Sequence, residues 1–225
     1  MEKILKENND RIPVEACRNL GLQEYDEKFF KRLIILGKRS FGEVWKCLEK
    51  RGERWPIHAV KFLNTEGNHE KILNNASSFL VEKIILEKVS SSKCEYIAKL
   101  KGTYYRSRPV TGEIQDLILV TESGDFNLND LIRKRRTEKI PAYNSEEALQ
   151  FLVQITEAFK TLQNLNVYHS DVKPLNIIYS ISEKKYKLID FGVSKFITNS
   201  NIQEDGNCIV NIKEYGYQGT NSFFS

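Results

Sequence analysis

Asp171, Lys173, Asn176 and Asp190 have the types and spacing that chemistry needs: a carboxylate, an ammonium and a carboxamide within six residues, then a second carboxylate. Carboxylate and carboxamide oxygens are hard donors that suit a small divalent cation. The competing reading is a loop whose Asp and Asn only form turns and caps. Five specified positions, His169, Asp171, Lys173, Pro174 and Asn176, would coincide by chance in roughly one chain of this length in ten thousand. Zinc fits poorly, because Cys17, Cys47, Cys94 and Cys208 are far apart and only His58, His69 and His169 could join them.

The segment Tyr168-His-Ser-Asp-Val-Lys-Pro-Leu-Asn176, followed by Leu188-Ile-Asp-Phe-Gly192, resembles the catalytic loop and the Asp-Phe-Gly motif of protein kinases. The resemblance extends from Lys31 to Ser225. It implies that Asp171 accepts the proton of a substrate hydroxyl, that Lys173 sits near the transferred phosphate, and that Asn176 and Asp190 share Mg²⁺. ATP and Mg²⁺ are the implied cofactors.

The nucleotide side resembles the same family. In Leu36-Gly-Lys-Arg-Ser-Phe-Gly-Glu-Val44, Gly37 and Gly42 would let backbone amides approach phosphates, with Val44 over the adenine. A hairpin flanked by glycines is by itself usually only a hairpin. His58-Ala-Val-Lys61 adds weight by resembling the strand whose Lys binds the α- and β-phosphates. That Lys needs a carboxylate on the next helix; Glu82 and Glu87 are candidates, and Glu82 is chosen because it opens Glu82-Lys-Ile-Ile-Leu86. Leu119-Val-Thr-Glu-Ser-Gly124 resembles the hinge, with Thr121 as gatekeeper and the backbone of Glu122 and Gly124 facing the adenine edge. Leu36, Ala59 and Ile178 are expected to sandwich the base, and each is equally at home in an ordinary core.

These residues need strands first and helices later. Apolar or alternating runs at Arg32–Leu36, Glu43–Leu48, Ile57–Leu63, Leu100–Arg106 and Ile114–Thr121 predict five strands. Asn64 to Asn75 reads as a polar loop before a helix through Phe79, Glu82, Lys83, Leu86 and Val89. Past Gly124 the period becomes helical: a short helix from Leu128, then a longer one opened by Asn144 or Ser145 with Glu147, carrying Leu152, Ile155, Phe159 and Leu162 on one face. Short strands are expected at Asn176–Tyr179 and Tyr186–Ile189. The expected fold is α+β and bilobal, kinase-like, with a five-stranded small lobe plus one helix and an incomplete helical large lobe. Its parts are a polar leader (1–29), the small lobe (30–121), and the hinge with part of the large lobe (122–225).

The composition fits that architecture. A chain of 225 residues with 40% hydrophobic and 28% charged residues speaks against global disorder. A net charge of +4, from 34 basic and 30 acidic residues, is unlike a dedicated nucleic-acid binder, so no nucleic acid is expected as a partner. No apolar run approaches the roughly 18 residues of a membrane span, and no membrane association is expected. Widely spaced thiols fit an intracellular, cytoplasmic location. Arg133-Lys-Arg-Arg136 is a candidate nuclear-import signal or acidic docking patch, against the commoner reading of a solvated helix end.

Three departures from the family pattern carry expectations. Arg39 replaces the middle glycine; if that position needs positive φ, it costs roughly 1–2 kcal/mol and weakens nucleotide binding. Ser170 stands where an Arg commonly pairs with a phosphorylated loop, so activation is expected not to depend on that pairing; Thr198, Ser200 and Thr220 are candidate phosphosites. The resemblance stops at Ser225, before a Pro-Glu pair. An uncovered apolar face on the Leu152 helix would then forfeit about 5–10 kcal/mol, and a stabilising protein partner is expected. Lys173 and Gly219-Thr220 resemble serine/threonine kinases, which implies transfer of the γ-phosphoryl of ATP to a hydroxyl of a protein substrate. The alternatives are a catalytically weak or inactive kinase-like module that binds nucleotide or a partner, and a small-molecule kinase, against which Lys173 and Ala59-Val-Lys61 argue.

Overall fold

The computed structural model describes residues 2–39, 42–50, 53, 55–141 and 143–197. Ser40, Phe41, Thr198, Ser200, the Gly219-Thr220 segment and Ser225 lie outside the described residues. The chain divides into two compact units: residues through Lys83 with Lys99–Ser123, and Ile84–Ala98 with the residues from Gly124 onward.

The first unit is built on a sheet. Its elements are α1 (Glu2–Glu7), α2 (Val14–Asn19), β1 (Gln23–Glu24), β2 (Phe30–Arg39), β3 (Gly42–Glu49), β4 (Ile57–Asn64), the first turns of α3 (His69–Ser90), β5 (Leu100–Ser107) and β6 (Ile114–Glu122). The strand order is β1-β5-β6-β4-β3-β2. All pairings are antiparallel except β1 on β5. The run Leu117-Ile-Leu-Val120 is buried throughout because successive side chains enter opposite faces and both faces are covered. Leu117 and Leu119 join a cluster with Ile72, Ala76 and Phe79 of α3. Ile118 and Val120 join Tyr25, Phe30, Cys47, Val60 and Phe62.

The five expected strands are present, and the sheet gains a sixth from the segment expected to be a polar leader. Residues 2–29 belong to the sheet unit. Leu5, Ile12, Cys17 and Leu22 are buried in the α3 cluster, and the Tyr25 amide donates to the Tyr105 carbonyl (2.8 Å). The leader hides this in its composition, since each apolar anchor is separated by charged residues that face solvent. The loop expected over Asn64–Asn75 is also shorter than its polarity suggests. Helix α3 begins at His69, its Lys71 amide bonded to the Asn68 side chain (3.0 Å). Ile72, Ala76 and Phe79 are one helical face, joined by the buried Asn75, whose side chain donates to the Asn64 carbonyl (2.7 Å), while Asn74 is exposed and Ser77 and Ser78 are half-buried.

The second unit contains β7 (Phe126–Asn127), α4 (Leu128–Thr137), α5 (Ser145–Asn164), β8 (Val167–Tyr168), β9 (Ile177–Ser180), β10 (Lys185–Leu188) and β11 (Lys195–Phe196). Strands β10-β9-β7 form one small antiparallel sheet and β11-β8 another. Asn127 caps α4, and Asn144 with Glu147 makes a capping box that opens α5. The basic run ends α4: Arg135 holds the Glu147 carboxylate (2.9 Å) and the Pro141 carbonyl, and Lys134 lies over the Phe126 ring. Gln154 of α5 accepts from the Tyr186 amide (2.8 Å) and donates to the Lys184 carbonyl (3.2 Å), tying the helix to the β9–β10 turn. On α5, Ile155, Ala158 and Leu162 are buried, whereas Leu149, Leu152, Val153 and Phe159 are exposed. Ile155 therefore leaves the stripe expected to be uncovered, because the face turned inward is the one shared with Gln154 and Ala158.

Candidate active site

In the sheet unit, register creates the first functional contact. Lys61 projects from β4 opposite Val44 of β3. Its Nζ lies 2.6 Å from Glu82 Oε2 on α3, and both side chains are nearly buried, at 11% and 5% exposure. Glu87, the other candidate, is exposed. The glycines on either side of the β2–β3 turn do different work. Gly42 has φ +150°, and a Cβ there would fall 1.8 Å from the Phe62 carbonyl oxygen, so the backbone approach excludes any side chain. A Cβ on Gly37 would meet nothing within 4 Å. Arg39 is the last residue of β2 and pairs with Gly42. It is extended backbone, so the left-handed strain expected at this position does not arise.

Ala59 pairs with Thr121 across β4 and β6, and Leu36 on edge strand β2 is exposed. The Glu122 amide donates to the Lys99 carbonyl (3.0 Å), and the Glu122 carbonyl accepts the Thr121 hydroxyl at 3.3 Å. Of the Glu122 backbone, expected to face adenine, the N–H is thus already engaged with the residue that precedes β5.

In the second unit, the functional groups come from one short loop. Lys173 Nζ lies 2.6 Å from Asp171 Oδ2. The Asn176 amide nitrogen donates to Asp171 Oδ2 (3.0 Å) and to the Asp171 carbonyl (2.8 Å). Asn176 is 1% exposed, in a short turn, Pro174–Asn176, ahead of β9. Its Oδ1 is buried without a hydrogen-bond partner. An orphaned carboxamide oxygen costs of the order of 1–3 kcal/mol unless something accepts its lone pairs. A hard cation would do so, and the donor set Asn176 and Asp190 fits Mg²⁺. Ser170 and Asp190 both have φ of 67°, unusual for residues with a Cβ, and these two left-handed turns bracket the functional loop and its partner segment.

His169 joins the two segments, a role its place in the motif did not reveal. Its Nε2 donates to the Ile189 carbonyl (3.0 Å), its Nδ1 accepts from the Asp171 amide (3.3 Å), and its ring lies 4.9 Å from that of Phe191. One tautomer of a neutral imidazole satisfies both bonds. Burial holds its pKa below the ordinary value, so it stays neutral. The Ser194 hydroxyl donates to the His169 carbonyl (3.0 Å), and the Ile189 amide to the Asn176 carbonyl (3.0 Å). Asp190 is therefore held next to a residue bonded to both ends of the loop. Gly124 belongs to this unit with Ile178: a Cβ at Gly124 would lie 2.7 Å from Ile178 Cβ, so only glycine permits the approach.

Fold and residue pattern together define a protein kinase domain. The family model for the protein kinase domain matches residues 30–215, and the chain belongs to that family. Among curated relatives it is similar to a serine/threonine-protein kinase, ppk5, of Schizosaccharomyces pombe, at 32% identity over 83% of this chain and 22% of that protein. It is also similar to mitogen-activated protein kinase kinase 7 of Arabidopsis thaliana, at 32% identity over 76% of this chain and 48% of the relative. A third relative, the serine/threonine-protein kinase nekl-2 of Caenorhabditis elegans, is 26% identical over 74% of this chain and 44% of its own length. The chain spans less than half the length of each of these.

Proposed function

We propose that this chain is the ATP-dependent phosphotransferase part of a protein serine/threonine kinase, moving the γ-phosphoryl group of ATP to a protein hydroxyl. The observation that carries the reading is the Asp171–Lys173–Asn176 cluster: a carboxylate fixed by an ammonium and a carboxamide, beside a buried carbonyl oxygen that lacks a partner. Phosphoryl transfer asks little covalent help of the protein, so positioning and charge neutralisation are what residues must supply.

Asp171 accepts the proton of the attacking hydroxyl, and Lys173 neutralises charge on the phosphoryl group as it moves. Asn176 Oδ1 and Asp190 are the residues that would hold Mg²⁺, which would supply positive charge against the phosphate oxygens. Lys61 binds the α- and β-phosphates and Glu82 keeps its ammonium aimed. In the sheet unit, Gly37 and Gly42 bring backbone close to the phosphates, Leu36, Val44 and Ala59 cover the base, Thr121 stands behind it, and the Glu122 carbonyl meets its polar edge; in the second unit, Ile178 and the Gly124 backbone are the groups available to adenine. The choice of a Ser or Thr hydroxyl is supported by Lys173 and by relatives bearing serine/threonine kinase names. An intracellular setting is supported by the free thiols of Cys17, Cys47 and Cys94.

The test is transfer of labelled phosphate from Mg-ATP by the purified chain to itself or to a generic protein. Asp171→Asn is expected to lower the rate by about a hundredfold or more with the fold intact. Nucleotide binding with no transfer by the wild-type chain would overturn the reading in favour of a binding module.

A further inference from the structure

The helix that carries Glu82 is packed, one and three turns earlier, against the N-terminal segment. Leu5, Ile12, Cys17 and Leu22 are buried in one cluster with Ile72, Ala76 and Phe79 of α3 and with Leu63, Leu117 and Leu119 of the sheet. Phe79 precedes Glu82 by three residues, so the apolar contact and the carboxylate share a helical face. At the start of α3, His69 Nδ1 donates to the carboxylate of Asp10. The segment is fixed at its other end: Arg11 pairs with Glu113 (2.8 Å), β1 runs parallel to β5, and the Ser107 hydroxyl donates to Glu24 (3.0 Å). It is a strap, tied to the sheet and pressed on the helix.

A helix is free to roll about its axis unless side chains on both sides oppose it. Side-chain tips lie roughly 5–6 Å from a helix axis, so a roll of about 30° would shift a carboxylate by about 3 Å. That is more than the 2.6 Å contact between Lys61 and Glu82 survives. We propose that residues 2–24 are a built-in positioning element for α3, and that Leu5 and Asp10 are positioning residues that set the Lys61–Glu82 pair from within the same chain. The functional weight of that pair rests on the reading of Lys61 as a phosphate ligand, whereas the coupling between strap and pair does not.

The test uses the whole chain without nucleotide and three site-resolved readouts: amide exchange over residues 69–83, alkylation of Cys17, and acylation of Lys61. Asp10→Ala, at a half-exposed side chain, is expected to speed exchange in α3 about tenfold. It should also raise Cys17 alkylation, and raise Lys61 acylation at least about threefold as the ammonium loses its fixed partner. Leu5→Asp should do more of each, and Asp10→Glu should restore wild-type values. If Leu5→Asp fails to fold, Asp10→Ala alone decides. Faster Cys17 alkylation with Lys61 acylation at the wild-type rate would overturn the proposal and make the strap an element of stability only, as would no change in any readout. ATP binding, measured separately, reports on the proposed function: loss of strap coupling with ATP still bound sinks only this inference, and intact coupling without ATP binding sinks only the kinase reading.

Discussion

The two units build their functional groups in opposite ways. In the second, Asp171, Lys173 and Asn176 lie within six residues and are held by hydrogen bonds among themselves. In the sheet unit, Lys61 and Glu82 stand on a strand and a helix far apart in sequence, brought together by the packing of Leu63, Leu117 and Leu119 under α3 and by the Asn75 side chain donating to the Asn64 carbonyl (2.7 Å). A local cluster can survive small movements of its surroundings because its members move together. A contact between distant elements inherits every error in their packing, which makes it a natural point of control and a weak point for stability.

The strongest way to break that contrast is Glu82→Gln. It leaves a nearly buried ammonium without its carboxylate, and removing one partner of a buried pair costs about 3–5 kcal/mol. Denaturant melts of the chain should show that loss, while Glu87→Gln, at an exposed site, should stay within about 0.5 kcal/mol. Equal effects would mean that the pair is not the anchor of α3. A second comparison lies at the β2–β3 turn. Gly42→Ala forces a methyl into the Phe62 carbonyl and should cost about 1–3 kcal/mol; Gly37→Ala should be near neutral for stability because its Cβ meets nothing. A large loss of ATP affinity in Gly37→Ala, with stability unchanged, would mark that glycine as one kept for the ligand.

The same contrast explains what could be read from the sequence. The loop cluster was legible through its resemblance to a family motif, since a contiguous motif carries its own geometry. Glu82 was legible only by choosing between two helical carboxylates, and the choice rested on the apolar residues that follow it. The strap was not legible: Leu5, Ile12, Cys17 and Leu22 have no regular period, because a segment wrapped around other elements buries single residues rather than a stripe. The start of α3 was missed for a related reason. Its first turns are polar on one face, and the buried triplet Ile72, Ala76, Phe79 is too sparse to outweigh Asn74, Asn75, Ser77 and Ser78. His169 was visible as part of a pattern but its work was not, because its partner Ile189 is twenty residues away and offers only a backbone carbonyl.

Smaller perturbations sharpen the comparison inside the second unit. Asn144→Ala removes the side-chain acceptor for the Glu147 amide from the box that opens α5, keeps the backbone N–H that donates to Glu147, and should cost about 1 kcal/mol. Because that helix reaches the β9–β10 turn through Gln154, slower amide exchange at Tyr186 in the wild-type chain than in the variant would tie the cap to the sheet that follows the loop. No difference would confine its effect to the first turn.

The last comparison concerns a slope rather than a loss. Burial keeps His169 neutral in the folded chain, with a pKa below the ordinary 6.5. As pH falls through about 6.5, the unfolded chain takes up a proton on this side chain and the folded chain does not. The unfolded state then binds more protons, so stability present above that pH declines below it, until the folded imidazole itself titrates. Urea midpoints measured at about pH 7.5 and about pH 5.5 should therefore fall more in the wild-type chain than in His169→Gln. Every group other than residue 169 is common to both proteins and cancels in the difference. A wild-type slope no steeper than that of the variant would mean that the imidazole is protonated in the fold. In that case Nδ1 could not accept from the Asp171 amide, while Nε2 would still donate to the Ile189 carbonyl and join the loop to the Asp190 segment.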